Sequence, residues 1–247
     1  MNIKLIRATE KPEELVCTAA RNDYRSEGVI NYTFEELVDD VDVDTKVAND
    51  LAKERTTVEK PEKPEDLPSH ILIEAKKRSL IKHLIRSGHY GVFEHPQATI
   101  AIEGVTRVSM AQLTRHRNFT FDVMSLRYVE IEEDTPDIFD EPPEDTDEDL
   151  EELWWETTSN SLKAYSSLIE NGLDKEEARK LLGMGIKVNM VVSGNARAWM
   201  HLINIRGKGN VQGEAREIAN GVFRELSDWM PYTFEYFDKQ LPLKLTP

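Results

Sequence analysis

Residues 115–128 read RHRNFTFDVMSLRY, which is an Arg-His-Arg triplet, seven further residues, and then Ser125 and Arg127. An arginine guanidinium forms a planar fork that matches a phosphate group, and a serine hydroxyl adds another hydrogen bond. If residues 125–127 are extended, Ser125 and Arg127 point the same way and share one ligand, while Leu126 faces the protein. The segment therefore predicts an anion-binding site.

The distribution of charge along the chain indicates which kind of anion this site would bind. The net charge is −15, but residues 132–152 hold 13 acidic residues and no Lys or Arg, and residues 35–66 hold 12 acidic against 5 basic residues. Without these two segments the rest of the chain carries +5. Because the acidic segments repel a polyanion, a local arginine pocket favours a mononucleotide over DNA. Adaptation to high salt is one hypothesis for the acidic segments.

Length and composition restrict the class of protein. A chain of 247 residues with 39% hydrophobic content is large enough to bury a core as one large domain or two small ones. It has no run of about 18 apolar residues, and its N-terminus lacks the apolar core of a signal peptide. We therefore expect a cytoplasmic protein without a membrane partner. Cys17 is the single cysteine, so no internal disulfide or multi-cysteine metal site is possible, and no metal is expected.

The N-terminal half contains clear helix and strand patterns with one ambiguous stretch. Residues 2–7 alternate in hydropathy as in a strand, and Pro12 with two following acids predicts the start of a helix. Between residues 35 and 69 partial helical spacing conflicts with a proline-rich connector, so we expect a mobile or poorly packed excursion. Ser69 then predicts a helix cap, with the helix running to about Ser87 before Gly88.

The remaining pattern places the triplet at the exit of a helix. Residues 98–103 alternate as a strand, and residues 106–113 predict a short helix that ends just before Arg115. Later in the chain, residues 150–171 predict a long amphipathic helix closed by Gly172, and Asp174 caps a further helix to about Leu182. The glycines within residues 183–194 have the wrong spacing for a nicotinamide-binding fingerprint and favour a strand with its turns.

A second polar group begins at Asn195, in the stretch NARAWMHLINIRGKGN. On a helix Arg197, His201 and Asn204 share one face, while the apolar residues between them pack inward. Arg206 at the end of this helix complements its negative pole. Taken alone, these residues also fit an ordinary exposed helix face.

Together these passages resemble the flavin-dependent thymidylate synthases, whose signature is Arg-His-Arg, seven residues, and then Ser. The resemblance implies an α+β fold in which residues 1–247 form one catalytic domain, with a central, mostly antiparallel sheet flanked by long helices. The acidic segments at about 35–69 and 132–152 would be insertions. The supporting matches are GHYGVFEH at residues 88–95, Gln112, Arg127-Tyr128, Ala178-Arg179, and Asn195-Ala196-Arg197 leading to Asn204 and Arg206.

The resemblance also implies an enzyme, a methyltransferase that converts dUMP to dTMP with methylenetetrahydrofolate as carbon donor. FAD would be the cofactor and NADPH the reductant, in a homotetramer whose sites are shared between subunits. The residues implied to bind FAD are His89, Gly91, Glu94, Arg115, His116, Arg117, Val123, Asn195, Ala196, Arg197 and His201. Those implied to bind dUMP are Gln112, Arg115, Val123, Ser125, Leu126, Arg127, Arg179 from another subunit, and Arg206.

Arg206 is the residue to which the resemblance gives a catalytic role, against the uracil ring. A guanidinium stays charged and stabilises an adjacent anion, so it would favour loss of the N3 proton. Four positions depart from the family pattern, and weaker substrate or flavin affinity is the expected cost. They are Asp23, Val123, Leu126 and Gly183.

Other interpretations remain open from the residues alone. A nucleotide- or nucleic-acid-binding protein could use the basic segment from Arg115 to Arg127 without catalysis, although only Phe119 and Phe121 supply interleaved aromatic rings. A metal hydrolase would need His89, His95 and His116 at spacings that match no metal motif.

The expected role of Cys17 distinguishes two mechanisms of thymidylate synthesis. An unrelated class of thymidylate synthase attacks uracil with an activated cysteine thiolate. Cys17 lies in an apolar-patterned helix, far in sequence from the anion-binding motifs, so we expect it to be buried and not to be the nucleophile.

Overall fold

The computed structural model describes residues 1–55, 61–132 and 137–241. In these ranges the chain forms a four-stranded antiparallel sheet with helices packed around it, in the strand order β1-β2-β4-β3. The expected α+β fold with a central antiparallel sheet is confirmed. The strands are β1 (Asn2–Ala8), β2 (Gln97–Thr106), β3 (Phe119–Val123) and β4 (Lys187–Asn195).

Most of the helices lie where the sequence predicts them. None of the described helices combines the length and the apolar character needed to cross a membrane. The last two helices, which pack on each other and against β1 and α4, were not predicted. In the described ranges the α-helices are α1 (Pro12–Asn22), α2 (Phe34–Val38), α3 (Thr45–Arg55), α4 (Ser69–Arg86), α5 (Arg107–Leu113), α6 (Glu148–Glu170), α7 (Lys175–Ala178), α8 (Ala196–Arg206), α9 (Gly213–Trp229) and α10 (Pro231–Gln240).

The core lies between the sheet and the helices. Alternate residues of β2, among them Ile100 and Ile102, are buried, and Ile100 pairs with Val192 of β4. Trp199 of α8 is fully buried in the same cluster, and its indole N–H donates to the carbonyl of Gly194 over 3.1 Å. Burial of each large apolar side chain contributes about 1.5–3 kcal/mol, so this cluster fixes α8 firmly against the sheet.

Two predicted helix ends are confirmed by backbone geometry. Gly88 follows α4 with φ of 72°, and Gly172 follows α6 with φ of 90°, a region that glycine enters without steric cost. The helix expected from Asp174 to Leu182 is shorter, because α7 ends at Ala178 and a 3-10 turn covers residues 179–181.

The prediction of a mobile or poorly packed excursion at residues 35–69 is wrong for the described part of that segment. Val47 and Leu51 of α3 are buried against Leu67 and Ile71, in a cluster of their own. The four-residue spacing on α3 supplies the apolar stripe that this packing needs. Part of the proline-rich connector, residues 56–60, lies outside the described residues, as do residues 133–136 of the second acidic segment.

Candidate active site

The Arg-His-Arg triplet sits in a short connector that is fixed at both ends. The backbone N–H of His116 donates to the carbonyl of Leu113, the last residue of α5, over 3.0 Å, and β3 begins at Phe119. The side-chain hydroxyl of Thr106 caps the start of α5 by accepting from the backbone N–H of Ser109. The predicted position of the triplet at a helix exit is confirmed.

A cavity of about 620 Å³ lies between this connector and α8. In the described part of the chain no carboxylate pairs with Arg115 or Arg117, and both side chains are exposed. The cavity is therefore cationic and suited to an anionic ligand. Its lining residues are Arg115, His116, Arg117, Asn118 and Phe119 from the connector, and Ala198, His201, Ile205 and Arg206 from α8.

Arg206 is held at the wall of the cavity by three hydrogen bonds. Its Nε donates to His116 Nε2 over 3.1 Å, its Nη1 to Gln112 Oε1 over 3.2 Å, and its Nη2 to the Gln112 carbonyl over 2.8 Å. The Gln112 amide in turn donates to the side chain of Gln212. A guanidinium has five N–H donors, so one on each terminal nitrogen remains for a ligand.

His116 beside it is uncharged at neutral pH. Burial first, and then the charges of Arg206 and His201, lower its pKa to about 4. The His201 ring lies 5.7 Å from the His116 ring, and the Phe119 ring lies 6.2 Å away, both edge-on. Burial and the nearby Arg115 also lower the pKa of Arg206. Both pKa values are lowered mainly by burial, and the neighbouring positive charges lower them further.

Except for Val123, the other residues predicted to bind flavin gather around the start of α8. A 3-10 turn at Tyr90–Glu94 packs against this helix, and Glu94 forms an ion pair with Arg197. Arg197 is one helical turn before His201, so α8 connects this group to the cavity. The imidazole Nε2 of His89 lies 3.5 Å from a carboxylate oxygen of Asp23. Gly91 is exposed in the same 3-10 turn.

Asn195 and Ala196 have structural contacts of their own. The side-chain oxygen of Asn195 caps α8 by accepting from the backbone N–H of Ala198 over 2.8 Å. Ala196 is fully buried, and its N–H donates to the carbonyl of Pro96 over 3.0 Å.

The residues after β3 form a turn, so the condition under which Ser125 and Arg127 would point the same way, an extended backbone at residues 125–127, is not met. The backbone N–H groups of Tyr128 and Val129 both donate to the carbonyl of Ser125, over 3.1 and 3.0 Å. Leu126 nevertheless faces the protein as expected, because it is buried in a cluster with Tyr165. Burial of this side chain, more than strand geometry, sets the direction of the turn.

Arg127 and Arg179 both contact Glu176. Arg127 forms a 3.0 Å salt bridge with the carboxylate of Glu176, and the Nε of Arg179 donates to the Glu176 carbonyl over 3.2 Å. The predicted dUMP residues at this end of β3 are thus close together.

The predicted dUMP residues nevertheless fall into two groups within one chain. Gln112 and Arg115 precede β3, and Arg206 is hydrogen-bonded to Gln112, whereas the turn at Ser125 follows the strand. At about 3.3 Å per residue, the Cα atoms of the first and last residues of this strand are about 13 Å apart. Val123, which is partly buried, pairs with Met190 at the far end of the strand. The two groups lie at opposite ends of β3.

Two residues in these contacts were not predicted from the sequence. Gln212, just before α9, holds the amide of Gln112, and Glu176 joins Arg127 to Arg179. The apolar periodicity of α9 was a readable signal for that helix. The contact between Gln112 and Gln212, in contrast, joins residues 100 positions apart, which no local sequence pattern predicts.

Comparison with known proteins identifies the family of this chain. A family model described as thymidylate synthase complementing protein matches residues 4–232. A flavin-dependent thymidylate synthase of Haloarcula marismortui is 36% identical over 265 residues, covering 98% of this chain and 96% of the relative. That of Halobacterium salinarum is 34% identical with the same coverage, and that of Mycobacteroides abscessus is 32% identical over 66% of this chain and 71% of the relative. The chain therefore belongs to the flavin-dependent thymidylate synthase family.

Proposed function

We propose that this methyltransferase family member converts dUMP to dTMP, with methylenetetrahydrofolate as carbon donor, FAD as cofactor and NADPH as reductant. The observation that carries this proposal is the position of Arg206. It is held by three hydrogen bonds at the wall of a cationic cavity, directly beside the Arg-His-Arg triplet.

Arg206 is the catalytic residue in this proposal. Its two remaining N–H donors would bind the uracil where negative charge develops as N3 gives its proton to solvent. The charge delocalised over the ring makes C5 more nucleophilic toward the methylene donor. Because the guanidinium is already fixed by His116 and Gln112, it needs little reorganisation as that charge forms. A donor of this kind typically contributes about 10²–10³ in kcat.

The donor set of the cavity fits a flavin dinucleotide. Arg115 and Arg117 have no carboxylate partner in the described residues, so both guanidiniums are available to a pyrophosphate. His201 and Phe119 add ring surfaces beside them. When bound, FAD would supply the hydride that completes the methyl group and would be reduced again by NADPH. His89 and Arg197 would extend the flavin site along the start of α8.

A homotetramer with shared sites accounts for the two groups of dUMP residues. Since these lie at opposite ends of β3 in one chain, Ser125, Arg127 and Arg179 of one subunit would complete the site formed by Gln112, Arg115 and Arg206 of another.

An exposed apolar surface supports the same assembly. Leu150, Leu153 and Trp154 on the first half of α6 are 55%, 56% and 38% exposed and line a groove of about 680 Å³ with Leu181. Contiguous apolar surface of this kind marks interaction sites in folded proteins. Leu181 is two residues from Arg179, so a second copy seated on this surface would lie beside the residues that are to be shared.

Cys17 supports the flavin mechanism over the cysteine mechanism. It is fully buried in the main core, and burial, together with the nearby Glu13 carboxylate, raises the pKa of its thiol. A buried neutral thiol is a poor nucleophile.

We place the reaction in the cytoplasm, because its charged nucleotide substrates do not cross membranes.

One absorbance spectrum tests the flavin part of this proposal. We expect the purified chain, supplied with FAD, to show the bands of oxidised flavin and to be bleached by NADPH more readily when dUMP is present. A colourless protein that neither retains added FAD nor passes electrons to it would overturn the proposal.

A further inference from the structure

We propose that His116 is a positioning residue for Arg206, whose guanidinium it orients by accepting a hydrogen bond at Nε2. The family resemblance assigns this histidine to flavin binding. In the structure, however, its Nε2 is already occupied by the Nε–H of Arg206 at 3.1 Å. Because Arg206 is the residue placed against uracil, this inference rests on the proposed function.

Three contacts define the plane of the guanidinium. Two go to Gln112, and the third, to His116, is made by the Nε that lies closest to the side-chain stem. Since the group is rigid and planar, three fixed donors also fix the directions of the two that remain. Without the contact to His116, only the two terminal nitrogens would be held, both by a single residue.

The contact requires His116 to be neutral, with its proton on Nδ1. A neutral imidazole has one nitrogen that accepts and one that donates, and Nε2 accepts here. Burial favours this state, and so do Arg206 and His201, which face His116 from α8. Protonation would place a donor against a donor and break the contact. In the neutral state, with Nε2 accepting from Arg206, only the Nδ1–H remains for a bound ligand.

Two substitutions separate positioning from flavin binding. His116→Gln retains an uncharged acceptor near the position of Nε2, whereas His116→Leu removes the acceptor at similar size. We expect His116→Leu to lower kcat about tenfold, the effect of one lost hydrogen bond, with KM for dUMP and the dissociation constant for FAD changed less than threefold. His116→Gln should restore most of kcat. The effect falls on kcat because Arg206 binds most strongly where charge develops.

A double-mutant cycle tests whether His116 acts through Arg206. In an Arg206→Met background, His116→Leu should have no further effect on kcat or on the midpoint of thermal unfolding. The unfolding cycle can be read even if the wild-type protein makes no dTMP, an outcome that would contradict the proposed function separately. Additive effects in the unfolding cycle, or a tenfold weaker FAD affinity in His116→Leu with unchanged kcat at saturating FAD, would overturn the positioning role.

Discussion

The guanidinium of Arg127 lies 3.0 Å from the carboxylate of Glu176, and both side chains are about half exposed, at 50% and 48%. The backbone carbonyl of the same glutamate accepts from the Nε of Arg179. In the proposed function both arginines help to bind dUMP, whose phosphate is the group that a guanidinium fork matches. The Glu176 carboxylate therefore occupies a place that the phosphate would take.

Replacing Glu176 should strengthen nucleotide binding. An exposed ion pair is worth about 0–1 kcal/mol, so Glu176→Gln should lower the dissociation constant for dUMP by up to about fivefold in calorimetric titration. Glu177→Gln on the same short helix is a matched control, because that carboxylate pairs with Lys180 in the 3-10 turn that follows. Weaker dUMP binding in Glu176→Gln, or the same change in both variants, would contradict a competing role for this carboxylate.

His116 should make the folded state sensitive to acid. Its folded-state pKa of about 4 lies below the ordinary value of 6.5, so between these pH values the unfolded chain binds a proton that the folded chain does not. The stability associated with the neutral imidazole is full above pH 6.5 and is lost as pH falls toward 4. Denaturant titrations of wild type and His116→Gln should therefore diverge across this window, with wild type losing more stability. Parallel pH dependences would show that the imidazole is not held neutral.

The apolar surface on α6 should control assembly. Trp154→Asp places a charge on this surface, so light scattering should give a smaller mass than for the wild-type oligomer, with loss of turnover. Ile30→Asp serves as the control, because Ile30 is 95% exposed elsewhere on the chain and should leave the mass unchanged. An unchanged mass for Trp154→Asp would exclude this surface as a subunit contact.

Cys17 should be dispensable for turnover. Cys17→Ala removes a buried sulfur from the core, so we expect a loss of about 1 kcal/mol in stability and nearly intact activity. Circular dichroism checks the fold, and dTMP formation checks the reaction. Complete loss of turnover in a folded variant would assign the thiol to the chemistry.

Local patterns were sufficient for much of the fold. The period-two alternation of β1 and β2, the short helix after β2, and the glycines after α4 and α6 are signals carried by a few adjacent residues. The same holds for the Arg-His-Arg triplet, because a helix end and a strand start fix it locally.

The features that the sequence did not predict depend on contacts between residues far apart in the chain. The helix α3 is stable because Leu51 meets Leu67 and Ile71, and the adjoining proline-rich connector obscured this apolar stripe in the sequence. The turn after β3 follows from burial of Leu126 against Tyr165, which lies 39 positions away. The pairing of Gln112 with Gln212 is likewise a tertiary contact that no residue spacing encodes.

Formation of dTMP tests the central claim most directly. The purified chain, given dUMP, methylenetetrahydrofolate, FAD and NADPH, should produce dTMP in a reaction that stops when any one of the four is omitted. Arg206→Gln should lower kcat by about 10²–10³, whereas Arg216→Gln, whose side chain donates to the Gly209 carbonyl outside the cavity, should not. Absence of dTMP from the complete mixture, with FAD bound and the oligomer intact, would contradict the proposed function.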